Sequence, residues 1–243
     1  MHIQINGNIC SGKGVLLSGL RDCYERLLLD LTEKDECKIR VSSGKIKYFY
    51  KLPTIKFGYD KISTDNCGSR FDTEMSIIEQ RRNLIDTYYE EDFDIILTEN
   101  GVSTSLLYSA LWYKFGHISY EEKLNLEDKV VYESSPYKPC CIIHMHSSTS
   151  GCFERHTLKI DNMFQPDMAM NVKYLEYLEK ELLIFSHSWQ NQGNQSICVP
   201  SSTILDPCIT CNGPTMKMKV FYENLLYQII KLREKNHIHK KIN

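Results

Sequence analysis

Eight residues near the start of the chain, from Gly7 to Gly14, have the sequence Gly-Asn-Ile-Cys-Ser-Gly-Lys-Gly. Two glycines separated by four other residues, with a lysine after the second, are typical of a loop that wraps around phosphate groups. Glycine lets the backbone turn so that successive N–H groups point at phosphate oxygens, and the lysine places a positive charge between the β- and γ-phosphates of a nucleoside triphosphate. The predicted nucleotide-binding residues are Gly7, Asn8, Ile9, Cys10, Ser11, Gly12, Lys13 and Gly14.

The position after the lysine departs from the usual pattern of such loops. A serine or threonine normally stands there, and its hydroxyl coordinates Mg²⁺. Here the residue is Gly14, and Ser11 occupies a different position inside the loop. We therefore expect Mg²⁺ to be held more weakly or by other groups, which weakens the case for efficient catalysis more than the case for nucleotide binding.

The segments around the loop predict an α/β protein. An alternating run over 2–5 precedes the loop, and apolar residues at helical spacing follow it over 14–31. Short apolar runs over 93–98 and 140–145 are typical of buried parallel strands. Further helices are predicted over 71–89, 103–113, 120–127, 153–159, 170–184 and 217–235. We predict one domain, 1–243, with a three-layer P-loop NTPase fold in which helices cover both faces of a parallel sheet.

Composition predicts the structure of three other stretches. One or two strands are predicted over 38–52, which is rich in β-branched and aromatic residues, and an exposed loop over 56–69. The segment 186–214 is polar with little periodicity, so we predict a loop or an insertion there.

Bulk composition excludes several classes of function. The formal net charge of the 243 residues is −2, without the basic bias of a nucleic-acid-binding protein. No apolar run approaches the length of a membrane span, and the first residues carry no pattern of a secretory signal. We expect a cytoplasmic protein, with the nucleus as the alternative.

The ten cysteines are interpreted as small buried hydrophobes of a reducing compartment. Cys208 and Cys211 form a tight pair, but no second pair at metal spacing accompanies them, so we predict neither a zinc site nor a redox pair there. His144 and His146 alternate along a predicted strand. Because no acidic or cysteine partner is evident at a useful spacing, we interpret them as ordinary strand histidines.

The glycine loop resembles that of the deoxynucleoside kinases, a family that includes viral thymidine kinases. Three later segments are similar to the family in order and spacing: 70–73, 95–101, and 141–145 followed by 153–156. The helix at 173–178 resembles the one that follows the family's lid, and the resemblance covers about 2–185.

The resemblance implies roles for three residues outside the loop. Asp72 stands where the family has a glutamine that pairs with the nucleobase, although an aspartate there could equally cap the helix. Glu99 matches the acid that serves the metal, which implies a catalytic role and a role as a Mg²⁺ ligand. Arg155, with Lys159 nearby, matches the lid cations that grip the transferring phosphate.

Several positions depart from the family. Asn100 replaces an arginine and Gly101 a serine, and Ser105-Leu106 occupies the place of an Asp-Arg pair. The catalytic glutamate of the family falls near 42–44, where no acid exists, and the stand-ins Glu36, Asp60 and Asp65 match poorly. A general base contributes about 10²–10⁴-fold to a rate, so its loss would matter.

The resemblance implies an enzyme that uses ATP and Mg²⁺ to phosphorylate the 5′-hydroxyl of a deoxynucleoside. Its partners would then be small molecules, the nucleoside and ATP, with a homodimer through helices as one option that the residues themselves leave open. Three alternatives remain: a degenerate kinase that binds nucleotide or only keeps the fold and serves interactions, a nucleoside monophosphate kinase, and a P-loop switch or motor protein.

Overall fold

The computed structural model describes residues 1–33, 69–90, 96–133, 137–160, 172–205 and 216–242. Within these ranges, four strands form one parallel sheet in the order β2-β1-β3-β4. The strands are β1 (His2–Gly7), β2 (Ile96–Glu99), β3 (Cys141–His146) and β4 (Gln195–Pro200). The helices are α1 (Lys13–Glu33), α2 (Arg70–Glu90), α3 (Thr104–Lys114), α4 (Tyr120–Asp128), α5 (Thr149–Ile160), α6 (Val172–Asn191), α7 (Ser202–Leu205) and α8 (Met216–Ile242). A short π-helical segment, Lys129–Glu133, follows α4.

Strand β1 lies in the interior of the sheet, with β2 on one side and β3 on the other. Ile3 pairs with Leu97 of β2 and with Cys141 of β3. Because all the strands are parallel, their carboxyl ends meet at one edge, which is where open α/β sheets bind ligands. The loop that follows Gly7 therefore begins at the middle of that edge.

Helices cover both faces of the sheet, so the molecule has the three layers that the sequence predicts. On one face, alternate residues of the strands pack against α1 and α8; this core includes Ile5, Leu20, Ile143 and Ile229. On the other face, α2, α3, α4 and α6 build a second core, which includes Ile78, Leu111, Leu126 and Leu178. Burial of these two apolar cores stabilises the packing of the helices on the sheet. The predicted α/β class is confirmed.

The predicted loop or insertion over 186–214 is wrong over most of its described part. Helix α6 continues to Asn191, and β4 pairs in parallel register with β3 along its whole length. Strand β4 lies at the edge of the described sheet and buries mainly Val199, while Gln195, Cys198 and Pro200 are exposed. A polar edge strand lacks the continuous apolar run that marked the interior strands, which is why its sequence resembled a loop.

Several sequence predictions fall outside the described residues. These are the strands predicted over 38–52, the loop over 56–68, and the stretch with Cys208 and Cys211. No helix in the described ranges combines the length and the apolar character needed to cross a membrane.

Helix α1 packs very closely against α8 at one glycine. A Cβ atom built on Gly19 would lie 2.5 Å from Cε1 of Tyr222, whose ring is 4% exposed. Real Cβ atoms do not approach other atoms so closely, so only glycine allows the two helices their present separation.

We expect Gly19→Ala to lower the free energy of unfolding by about 1–3 kcal/mol, the usual cost of overpacking a well-packed contact. The loss should occur even though alanine favours an isolated helix by about 1 kcal/mol over glycine. Urea unfolding followed by circular dichroism measures it. The matched control is Ser18→Ala, on an exposed position of the same helix, which should change stability by no more than about 0.5 kcal/mol. Equal stability of the two variants would contradict the close contact.

Candidate active site at the carboxyl edge of the sheet

The phosphate loop leaves the end of β1 in a conformation with two left-handed residues. The φ angles of Cys10 and Gly12 are +58° and +98°. A Cβ atom on Gly7 would lie 2.6 Å from Cβ of Met145 in β3, so the loop starts in direct contact with the neighbouring strand. Left-handed residues between right-handed ones form a concave backbone that binds anions. The backbone of the predicted loop is therefore shaped for phosphate.

Lys13 begins α1 and folds back over the loop that precedes it. Its Nζ atom donates hydrogen bonds to the carbonyl oxygens of Gly7 at 3.0 Å and Asn8 at 2.9 Å. The side chain is 8% exposed, so its charge lies inside the loop rather than in solvent. From this position the Lys13 ammonium group could release the two carbonyl oxygens and bind phosphate oxygens instead.

Two side chains from distant parts of the chain hold the next carbonyl groups. Arg155 of α5 donates from Nε to the carbonyl oxygen of Cys10 at 2.7 Å and from a terminal nitrogen to Oγ of Ser147 at 2.5 Å. Ser201 donates from Oγ to the carbonyl oxygen of Ser11 at 2.6 Å. In a trans peptide the N–H group points away from the carbonyl. Holding these carbonyls therefore fixes the direction of the N–H groups that follow them.

Asn8 fastens the loop to α6. Its Nδ2 atom donates to the carbonyl oxygen of Leu175 at 2.9 Å and lies 3.5 Å from Oε2 of Glu179, and its Oδ1 atom accepts from the N–H group of Ile9 at 2.8 Å. The residue is completely buried. The asparagine thus has a positioning role that the motif alone did not reveal.

Glu99 ends β2 beside the start of the loop. It pairs in register with Ile5 of β1 and is partly buried. The next residue, Asn100, has φ +60° and donates its N–H group to the carbonyl oxygen of Ile5 at 2.9 Å. The turn holds the end of β2 against β1, which leaves the Glu99 carboxylate at the same edge as the phosphate loop.

A buried polar network supports this edge from below. The Gln4 amide donates to Asn6 Oδ1 at 2.6 Å and to Thr104 Oγ1 at 3.0 Å, and accepts from Ser103 Oγ at 2.8 Å. A Cβ atom on Gly101 would lie 2.8 Å from Cδ of Gln4. Gly101, which stands where the resembling family has serine, is thus required here because Gln4 fills the space.

Asp72 lies at the exposed start of α2. Its carboxylate accepts a hydrogen bond from Ser69 Oγ at 2.7 Å, and Ser69 Oγ accepts from its N–H group at 3.2 Å. Ser69, and not Asp72, therefore caps the helix by accepting a backbone N–H group, and the Asp72 carboxylate holds the Ser69 hydroxyl in place. A contact between Asp72 and a nucleobase stays a prediction.

Sequence analysis missed two ionisable side chains of α2, Glu74 and Arg81, that face α3. Arg81 donates to the carbonyl oxygen of Gly101 at 3.2 Å and to Ser105 Oγ at 3.1 Å. Glu74 lies on the same face of α2 as Arg81 and is 3% exposed. Burial raises the pKa of Glu74 above its ordinary value, while Arg81 and hydrogen bonds from Ser105 and Trp112 lower it only in part. Two signals were available in the sequence. Glu74 and Arg81 are seven residues, or about two helical turns, apart, and Ser105-Leu106 stands where the resembling family has an Asp-Arg pair.

A second group that the sequence concealed lies on the other side of the loop. His144 and His146 of β3 share a face of the sheet, and Glu179 of α6 lies against them, with His146 Nδ1 2.9 Å from Glu179 Oε1. Burial, together with the charges of His146 and Lys13, lowers the pKa of His144 to about 4, so its ring is neutral at neutral pH. Burial raises the pKa of Glu179, while hydrogen bonds from His146 and Asn8 oppose the shift.

The structure brings most of the predicted site together. The phosphate loop, Glu99 and Arg155 all lie at the carboxyl edge of β1, β2 and β3. The side chain of Lys159 and the segment 161–171, where the resemblance places the lid, lie outside what the structure describes, as does the stretch 42–44 that matches the family's catalytic glutamate.

The fold and the loop define an α/β protein of the P-loop class. No family model and no curated protein matches the chain. Among solved structures, deoxyadenosine kinase from M. mycoides with bound dCTP superposes with a TM-score of 0.61 at 12% identity, over 93% of this chain and 98% of that chain.

Two further structures of the M. mycoides deoxyadenosine kinase agree. The one with the products dCMP and a flexible dCDP has a TM-score of 0.60 at 13% identity, over 94% of this chain and 98% of that chain. The one with dATP has a TM-score of 0.59 at 13% identity, over 93% and 98%. At this identity the likeness shows the fold, and the chain has a P-loop fold of the deoxyadenosine kinase kind.

The Glu74 carboxyl should make stability depend on pH. A group whose pKa is raised on folding contributes fully below its ordinary pKa, and the contribution is lost as pH rises through the folded-state pKa. We expect wild type to lose stability relative to Glu74→Gln as pH rises above the ordinary value of 4.5. Urea unfolding of both proteins across this pH range measures the gap. A gap that stays constant, or that shifts in favour of wild type with rising pH, would contradict the assignment.

Proposed function

We propose that the protein is an ATP-dependent deoxynucleoside kinase, which transfers the γ-phosphoryl group of ATP to the 5′-hydroxyl of a deoxynucleoside. The observation that carries the proposal is the phosphate loop itself: a buried lysine and a concave backbone at the carboxyl end of an interior strand. The same loop lies in a fold shared over 93% of this chain with a deoxyadenosine kinase that was solved with dCTP and with dATP.

The loop would hold the donor. Lys13 would exchange the carbonyl oxygens of Gly7 and Asn8 for β- and γ-phosphate oxygens, and the N-terminus of α1 would add its positive end. Arg155 and Ser201 keep the neighbouring peptide planes in place before the nucleotide arrives. Such pre-organisation lowers the cost of ordering the loop on binding.

The residues present fit a magnesium ion that reaches the site with the nucleotide. Gly14 offers no ligand, and Ser11 Oγ lies 2.6 Å from the Cβ position of Gly7, at the base of the loop. Glu99 is the carboxylate at the adjoining strand end. Mg²⁺ commonly uses one or two carboxylates, substrate phosphates and water, so Glu99 could hold it. When bound, the ion neutralises charge on the β- and γ-phosphates.

The reaction exchanges one bond to phosphorus for another. The 5′-oxygen bonds to the γ-phosphorus, the bond from that phosphorus to the β–γ bridging oxygen breaks, and the hydroxyl proton is released. The products are the deoxynucleoside monophosphate and ADP. Arg155, already fixed at the loop by Cys10, would steady charge on the transferring group, and Asp72 would face the base. Positioning and charge stabilisation supply most of the catalysis in such transfers.

A second function, nucleotide binding without transfer, has specific support. Gly14 removes the usual metal-binding hydroxyl, and the Glu74 carboxylate is buried between α2 and α3 rather than open to a substrate. In this case the fold would serve interactions with other proteins. Binding and transfer must therefore be measured separately on one sample, with deoxynucleosides and their monophosphates both offered as acceptors.

Nucleotide binding should depend on Lys13. We expect Lys13→Ala to weaken ATP binding about 10–100-fold, because a hydrogen bond to a charged group contributes about 1.5–3 kcal/mol. Calorimetric titration of ATP, with and without Mg²⁺, measures the affinity. The control Lys217→Ala removes an exposed lysine at the start of α8 and should leave the affinity unchanged. Equal affinity of wild type and Lys13→Ala would refute the phosphate loop as the nucleotide site.

Transfer should depend on Glu99. We expect Glu99→Gln to lower the rate of radiolabelled phosphate transfer from ATP by roughly 10²–10³-fold, as when one group that stabilises transition-state charge is removed. ATP affinity measured without Mg²⁺ should stay the same. Glu121→Gln, an exposed glutamate in the first turn of α4, is the control. ATP binding without transfer to any acceptor by wild type would reject the kinase and favour the second function.

A further inference from the structure

Three side chains that bind metals elsewhere in proteins converge beside the phosphate loop. One ring nitrogen of His144, one of His146 and one carboxylate oxygen of Glu179 all lie within 4.8 Å of one another. The two histidines are two residues apart on β3, so both point to the same face of the sheet, where α6 places Glu179. Among the described residues, this is the group of histidine, cysteine and acidic side chains with metal-binding geometry.

The His144 ring provides an independent sign of a ligand. The residue is 4% exposed, and its Nε2 atom is buried with no hydrogen-bond partner in the described part of the chain. Buried polar atoms are almost always satisfied, so such an atom calls for an explanation. A neutral imidazole nitrogen with a free lone pair is the form that binds metal ions.

The ordinary interpretation of the group is a hydrogen bond between a strand and a helix. It accounts for His146 and Glu179, whose atoms lie 2.9 Å apart. It does not account for the buried Nε2 atom of His144, which has no hydrogen-bond partner among the described residues although one ring nitrogen of this histidine lies within 4.8 Å of the other two side chains. An ion shared by all three side chains accounts for the whole group.

We propose that His144, His146 and Glu179 bind a divalent ion of the zinc class beside the phosphate loop. A set of two imidazoles and one carboxylate binds Zn²⁺ in preference to Mg²⁺ and Ca²⁺. Three protein ligands leave a fourth position for water or a substrate oxygen. In a tetrahedral site with bonds of about 2.1 Å the ligand atoms lie about 3.4 Å apart, so the most widely separated atoms, at up to 4.8 Å, need to close by up to about 1.4 Å. The side chain of His146 is 53% exposed, so it is free to make this adjustment.

The position of the ion gives it a route to the nucleotide site. Asn8 of the phosphate loop contacts both Glu179, at 3.5 Å, and the carbonyl oxygen of Leu175 one turn earlier in α6, at 2.9 Å. An ion on Glu179 would replace the longer of these contacts and leave the shorter one. It would tie β3 to α6 immediately behind the loop.

Metal titration without nucleotide tests the site independently of the proposed kinase activity. Co²⁺ added to the metal-free full chain should produce the visible d–d absorption of a low-coordinate site with one ion per chain, and Zn²⁺ should displace it. We expect His146→Asn and Glu179→Gln each to weaken Zn²⁺ binding at least tenfold, as loss of one of three ligands does. Both changes are at sites that are not fully buried, so the variants should fold; His144→Asn is the third member of the set.

Controls on the same helix separate this site from surface binding. Glu176→Gln and His187→Asn change exposed side chains of α6 and should leave Zn²⁺ affinity unchanged. The double variant Cys208→Ser/Cys211→Ser should also bind as wild type does. Loss of binding in the cysteine variant, equal binding in all variants, or no saturable binding by wild type would each overturn the proposal.

Discussion

The structure depends on how the carbonyl oxygens of the phosphate loop are held. A loop that offers its N–H groups to an anion must turn its carbonyls away from that anion, and buried carbonyls need donors. One donor, Lys13, belongs to the loop itself, and two come from distant parts of the chain: Arg155 in α5 and Ser201 after β4. The loop conformation is therefore a property of the assembled sheet and not of eight residues alone.

The strand order explains which groups reach the loop. Strand β1 runs between β2 and β3, so Glu99 flanks the loop on one side and His144 and His146 on the other. Helix α6 adds the contact to Asn8 and brings Glu179 to the histidines. The two sides differ in chemistry: an oxygen ligand suited to magnesium on one, and nitrogen ligands suited to zinc on the other.

Departures from the resembling family have physical causes in the neighbouring side chains. Gly101 cannot carry a side chain while Gln4 occupies the space above it. Ser105 lies where the family has a charged pair, and Arg81 and Glu74 from α2 bring charge to the same place. The Glu74 carboxyl is buried between α2 and α3, so it stabilises this helix contact where the pH favours its neutral form. Glu99 remains the carboxylate at the carboxyl edge of the sheet.

The sequence by itself determined the parts of the protein that depend on local pattern. Glycine spacing and one lysine predicted the phosphate loop, and apolar periodicity predicted the interior strands, most helices and the three-layer class, because backbone conformation and burial act on short stretches of chain. The loop predicted over 186–214 is wrong over most of its described part, 186–205, since the polar edge strand β4 is stabilised by pairing with β3.

Only the tertiary structure decided which side chains meet. Glu179 lies 33 residues from His146, and Ser201 lies 190 residues from Ser11, so no spacing rule could join either pair. Strand order and helix packing bring them together, because hydrogen bonds and metal ligands require proximity in space rather than in sequence. The histidines therefore looked like ordinary strand residues until α6 placed a carboxylate against them.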